Sequence, residues 1–85
     1  MPYINPSERD RLNSLVNEIN HEDIKTAGNV NFLITKLCQK FLSEGSPNYD
    51  RYNAIIGILE SAKLEWYRRK VAIYEDAKII ENGDV

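Results

Sequence analysis

Trp66-Tyr67-Arg68-Arg69-Lys70, followed by Tyr74, sets two arginines, a lysine and three aromatic rings within about two helical turns. An arginine fork matches two oxygens of a phosphate, and a flat ring gives a base a surface to stack on, worth about 1–3 kcal/mol per base. Lys63, four residues before Tyr67, extends the basic edge. The pattern is that of a site for a small, planar, anionic ligand of nucleotide type. Arg68 and Arg69 would hold phosphate, Tyr67 or Tyr74 would stack on a base, and Lys63 would add charge. A purely structural reading stands beside it. Trp66 falls on a packing heptad, and Glu65 precedes Arg68 and Arg69 at the i,i+3 and i,i+4 spacings of helical ion pairs, with Glu75 and Asp76 also near.

The residues of catalysis are sparse. His21 is the single histidine, in a polar Asn-His-Glu-Asp run, so one chain holds no multi-histidine metal site. Cys38 falls on an apolar helix face with no histidine nearby, which suits packing rather than nucleophilic attack. Glycines at 28, 45, 57 and 83 are too scattered for a phosphate-cradling loop. The acidic pairs Glu22/Asp23 and Glu75/Asp76 suit a solvated helix surface. The expectation is a protein that is not an enzyme, with no metal and no cofactor. An enzyme would need a site assembled from several subunits, with Glu75 or Asp76 as base or metal ligand.

Charge narrows the ligand. Thirteen acidic residues against eleven basic ones give a net charge of −2, so any anion site is local and a nucleic-acid polymer is disfavoured. One cysteine permits no intrachain disulfide, which fits the cytoplasm. Met1-Pro2-Tyr3-Ile4-Asn5-Pro6 lacks the basic start and apolar run of a signal peptide, and no segment approaches the ~20 apolar residues of a membrane span.

These side chains must be positioned by helices, because no run alternates with period two between turn residues. In helix one, Asn5 caps, Pro6 takes the first position, and Leu12, Leu15, Val16 and Ile19 form an i, i+3, i+4, i+7 stripe ending by His21. A loop follows over residues 22–28, with Ile24 and Ala27 free to tuck inward. Helix two is expected from Asn29 as cap. Val30, Leu33, Ile34, Leu37, Cys38, Phe41 and Leu42 make it the most central element, Phe32 lies off the stripe, and Gly45 ends it. Helix three runs from Ser46-Pro47 to the Asn82-Gly83 stop, weakened only at Gly57.

Helix three carries two apolar stripes. Tyr52, Leu59, Trp66, Ile73 and Ile80 recur every seven residues, and Leu64, Tyr67, Val71 and Tyr74 follow at spacings of three, four and three. At ~100° per residue the stripes lie roughly 140° apart. The first should hold helices one and two, leaving the second for another subunit. A straight helix of roughly 50 Å overhangs a compact chain of this size, whose radius of gyration is near ~12 Å. Helices one and two lie end to end along it, it breaks near Arg69, or other subunits cover the overhang. The expected architecture is one all-α domain over residues 1–85: two short helices packed on one long C-terminal helix, assembling as a homo-oligomer through Leu64, Tyr67, Val71 and Tyr74.

A resemblance adds context. Met1-Pro2-Tyr3-Ile4, Asn31 with Ile34-Thr35-Lys36-Leu37-Cys38, Ile56-Gly57 with Leu59-Glu60, Lys63-Leu64-Glu65 through Tyr67-Arg68-Arg69, then Tyr74-Glu75-Asp76, Lys78 and Glu81-Asn82-Gly83-Asp84-Val85 resemble a family of short phage, prophage and bacterial proteins. That family is carried mostly as a domain of unknown function. The resemblance spans nearly the whole chain, and its closing block is the most specific part. Many members have proline before Tyr-Glu-Asp; Ile73 stands here, which implies an unbroken helix. At the level of class, the chain is similar to phage sponges. These small self-assembling proteins hold nucleotide signals of bacterial immunity, such as cyclic dinucleotides and ADP-ribose derivatives. The similarity implies a homo-oligomeric, non-catalytic anti-defence protein that sequesters such a signal in the cytoplasm of the host bacterial cell. A rival reading stays open: a phage accessory module that docks on a host protein through Leu64, Tyr67, Val71 and Tyr74.

Overall fold

The computed structural model describes residues 3–85; Met1 and Pro2 of the amino-terminal block lie outside the described residues. Among the described residues there is no strand. The elements are α1 (Pro6–His21), α2 (Ala27–Ser43), α3 (Tyr49–Trp66), a π turn (Tyr67–Val71) and α4 (Ala72–Asn82). No helix is long and apolar enough to cross a membrane.

Helix starts follow local capping chemistry. Asn5 Oδ1 accepts the Glu8 N–H at 2.9 Å, and Pro6 occupies the first position, where no donor is needed. α2 begins three residues earlier than expected. Thr26 is its cap, with Oγ1 accepting the Asn29 N–H at 3.0 Å, and Asn29 Oδ1 reciprocates by accepting the Lys25 N–H at 3.2 Å. Asn29 thus completes a reciprocal capping arrangement from inside the helix instead of opening it. α3 likewise starts at Asn48, whose Oδ1 accepts the Arg51 N–H at 2.9 Å, so Ser46 and Pro47 precede the helix.

From Tyr49 the helical path continues through the π turn to Asn82, and Ile73 lies within it. At 1.5 Å per residue this gives about 50 Å, matching the longest molecular dimension of 51 Å. Gly83, the one described glycine with positive φ (87°), ends the helix and donates its N–H to Ile79 O at 2.7 Å.

The packing differs from the heptad expectation. Ile34, Leu37, Cys38 and Phe41 of α2 face Ile55, Ile58, Leu59 and Ala62 of α3 across an apolar groove of about 310 Å³. Of the first stripe, only Leu59 takes part; Tyr52, Trp66, Ile73 and Ile80 stay exposed. A single α-helix neighbour is met at i, i+3, i+4 and i+7, and the Ile55-Ile58-Leu59-Ala62 set satisfies that spacing where a strict seven-residue repeat does not. α1 also departs from expectation. It flanks α2 across a second apolar groove, and none of its Cα atoms comes within 8 Å of another helix. α4 has no helix neighbour within 8 Å beyond its own continuation.

The junction of α2 and α3 is closed by Arg51. Its guanidinium lies 4.3 Å from the centroid of the Phe41 ring and donates through Nη2 to Phe41 O, one of the terminal carbonyls of α2. Gly45 makes room for it: a Cβ there would stand 2.9 Å from Arg51 Cζ.

No described residue is fully buried. The radius of gyration is 16.5 Å, well above the ~12 Å of a compact chain of this length. The chain exposes 7554 Å², whereas a compact monomer of its mass would expose roughly 5,200 Å². The surplus is apolar in large part, including Leu15, Leu37, Ile56, Leu64, Trp66, Ile73 and Ile80.

Candidate anion site

The chain segment before α1 runs back to the middle of the long helix, where four side chains meet. Tyr3 Oη donates to Glu65 Oε1 at 2.9 Å. The same phenol oxygen accepts from Arg68 Nη2 at 3.1 Å and from Arg69 Nη2 at 3.0 Å. Glu65 Oε1 in turn accepts from Arg68 Nη2 at 2.7 Å and from Arg69 Nε. The Arg69 guanidinium also lies 5.6 Å from the Tyr3 ring centroid. Helical geometry brings Glu65, Arg68 and Arg69 together as the i,i+3 and i,i+4 pairs expected from their spacing.

The electrostatics follow from these contacts. The Tyr3 hydrogen bond, aided by Arg69 and Arg68, holds the Glu65 carboxyl below its ordinary 4.5, against the opposing effect of desolvation. Hydrogen bonds to Tyr3 and Glu65 hold Arg69 more firmly protonated. One carboxylate offsets one of two guanidinium charges, and Lys70 follows on the next residue, so the cluster keeps a positive balance. Glu65 is largely covered, with 17% of its side chain exposed, while Arg68 and Arg69 present 64% and 56% to solvent. The two guanidinium groups thus converge on the same two oxygens, Tyr3 Oη and Glu65 Oε1, while remaining half or more exposed. An oxyanion that displaced the Tyr3 hydroxyl would meet donors already gathered on one point by Glu65.

The other expected site residues lie elsewhere. Lys63 pairs with Glu60 at 3.1 Å. Tyr74 is exposed beneath Lys78, whose Nζ is 5.6 Å from the ring centroid. Tyr67 is half exposed, and hydrogen bonding to the Glu75 carboxylate, with that carboxylate's charge, raises its phenol above the ordinary 10.0. The π turn explains the change of partners. The Ala72 N–H donates to Tyr67 O, five residues back instead of four, which inserts one residue into the helical turn. At ~100° per residue, everything beyond the turn is displaced by one position. Tyr67 therefore shares a face with Glu75, not with Tyr74, and Tyr74, not Ile73, follows Trp66 in phase. Of the expected oligomer residues, Leu64, Tyr67 and Tyr74 are exposed and Val71 is half-buried.

Two residues of the structure escape periodicity. Tyr3 precedes the first helix, so no helical spacing points to it; its only sequence signal is its place in the Met1-Pro2-Tyr3-Ile4 block. Arg51 reads as a surface cation in the first turn of a helix, and only the fold turns it onto Phe41. Among the described residues no three His, Cys, Asp or Glu side chains gather as a metal site.

A family model described as a domain of unknown function (DUF6899) matches residues 1–85. No curated protein and no solved structure matches the chain.

Proposed function

The chain belongs to the DUF6899 family, and for this member of it we propose a homo-oligomeric protein that binds and sequesters a nucleotide-type anion without transforming it. The observation that carries this reading is the convergence of Arg68 Nη2 and Arg69 Nη2 on one oxygen atom, at 3.1 and 3.0 Å. A phosphate oxygen presents the same acceptor to the same donors. The surplus apolar surface supports self-assembly, which would supply further walls to a site that is open on the single chain. The ligand class we favour is a nucleotide signal of bacterial immunity, a cyclic dinucleotide or an ADP-ribose derivative. The biological role would be anti-defence of the phage type, on the strength of the class-level similarity to sponges.

Calorimetry of the full chain against a panel of cyclic dinucleotides and ADP-ribose derivatives tests this. Binding of one of them is expected, with Arg68→Ala or Arg69→Ala each weakening it by about 10–100-fold, the cost of one charge-assisted hydrogen-bonding group. The bound compound should keep its mass after long incubation with a divalent metal. Absence of heat with every member of the panel, at concentrations where the chain is assembled, would defeat the proposal.

One observation favours a second reading. Leu64, 57% exposed, and Tyr67, 47% exposed, lie beside the cluster without an intrachain cover, as a docking face for a host protein would. A captured partner lost on Tyr67→Ala, with no bound nucleotide, would favour that reading.

A further inference from the structure

The groove between α1 and α2 has apolar walls from Leu15, Ile19, Ile24, Leu33 and Leu37 and a volume of about 330 Å³. Its rims carry opposite charge: Glu18 and Glu22 on the α1 side, Lys36 on the α2 side. Nothing in the chain fills it. α4, for its part, is amphipathic and has no helix beside it within 8 Å. Its stripe of Ile73, Ala77 and Ile80 is spaced by four and three; at ~100° per residue Asp76 and Glu81 flank that stripe and Lys78 lies on the far face. The chain's own α4 cannot turn back into the groove, because residues 49–82 form one continuous helical path of about 50 Å.

We propose that α4 of a second copy seats in the α1–α2 groove, with Ile73, Ala77 and Ile80 on its apolar walls, so that two chains exchange α4 helices about a two-fold axis. Area selects a second copy. Asp76 meets the Lys36 rim, and Lys78 keeps its Glu81 partner, 3.3 Å away within one chain, offsetting that carboxylate on the Glu18 and Glu22 side. The chain exposes 7554 Å², roughly 2,400 Å² more than a compact monomer of its mass. Two such surpluses fall within the 2,000–5,000 Å² range that obligate homodimers bury. Exchange of an identical element closes the assembly, because each copy offers one groove and one helix. The inference rests on the self-assembly part of the proposed function and adds the contact that makes it.

The test combines solution mass with directed cross-linking of the full chain in a Cys38→Ser background. Light scattering should give about 20 kDa, twice the 9.8 kDa of the chain. Mixing a Leu33→Cys chain with an Ala77→Cys chain should yield a disulfide-linked pair under mild oxidation, whereas Leu33→Cys mixed with Asn53→Cys should not. Ile80→Asp should halve the solution mass and leave the chain helical by circular dichroism, since Ile80 is 87% exposed on the single chain. An oligomer that neither cross-links through Leu33 and Ala77 nor responds to Ile80→Asp overturns the α4 exchange and leaves self-assembly standing. A chain that stays monomeric at all concentrations overturns both, including the case where another protein occupies the groove.

Discussion

At the scale of single residues, the most telling contact joins two distant blocks of the resemblance. Tyr3 comes from the opening block and Glu65, Arg68 and Arg69 from the Lys63-to-Arg69 block, and the fold sets them around one phenol oxygen. The arginine-glutamate pairing was legible from spacing alone; Tyr3 was not, because it lies outside any helix. The contact has a pH signature. Glu65 has a folded-state value below its ordinary 4.5, so its stabilisation is present above that ordinary value and is lost as pH falls through the lowered one. The Tyr3 ring resonances should therefore hold steady down to the ordinary carboxylate range. Below it they should move toward random-coil positions. Glu65→Gln should release Tyr3 already at neutral pH, and an unchanged spectrum in that variant would refute the tether. Arg51 is the second residue whose role came from the fold. It sits where the positive end of the α3 dipole disfavours a cation, and the terminal carbonyl of α2 compensates. Arg51→Met should destabilise the chain by about 1.5–3 kcal/mol in urea unfolding, the range for a lost hydrogen bond to a charged group. Gly45→Ala should act in the same direction by displacing the guanidinium.

At the scale of elements, composition and periodicity predict the helices well, and their ends follow the nearest good capping residue. The face used by the long helix was less legible. A seven-residue repeat assumes unbroken α geometry, and the π turn at Tyr67–Val71 leaves no mark in the residue pattern that distinguishes it from an ordinary turn. This is also where the arginines sit, so the turn sets the direction in which Arg68 and Arg69 point relative to α4. Deleting Lys70 should convert the π turn to an α turn and leave α4 in its present phase against α3, because the turn absorbs one inserted residue. Glu75 then lies seven helical positions from Tyr67, so the Tyr67 phenol, held high by Glu75, should stay raised in a spectrophotometric titration. A Tyr67 value that falls back toward 10.0 in the deletion would show that the turn does not set the Tyr67–Glu75 register. Gly57 offers a complementary probe. A Cβ there meets nothing within 4 Å, so Gly57→Ala should stabilise the chain by about 0.5–1 kcal/mol through helix propensity. A loss of stability instead would place another copy's backbone against that face.

At the scale of the whole molecule, the chain has secondary structure without a closed core. Its helices are capped and continuous, yet no described side chain is fully buried, and the hydrophobic term that stabilises small domains is largely unspent. Helices of this length are marginal in water when unpacked, because propensity offsets little of the nucleation cost. The long dimension of 51 Å was foreseeable from helix three's length, but which faces remain open depended on how α1 and α2 lie, and periodicity does not encode that. Association should therefore add to the stability of the helical chain, which then depends on chain concentration. Thermal melts followed by circular dichroism should shift upward by roughly 3–6 °C for each tenfold rise in concentration, as expected for a dimer of this size. Ile80→Asp should flatten that dependence and lower the midpoint, because it removes association without touching an intrachain contact. A wild-type midpoint independent of concentration would mean that the single chain is stable with its apolar surfaces open. In that case the surplus surface would have to be assigned to something other than a second copy.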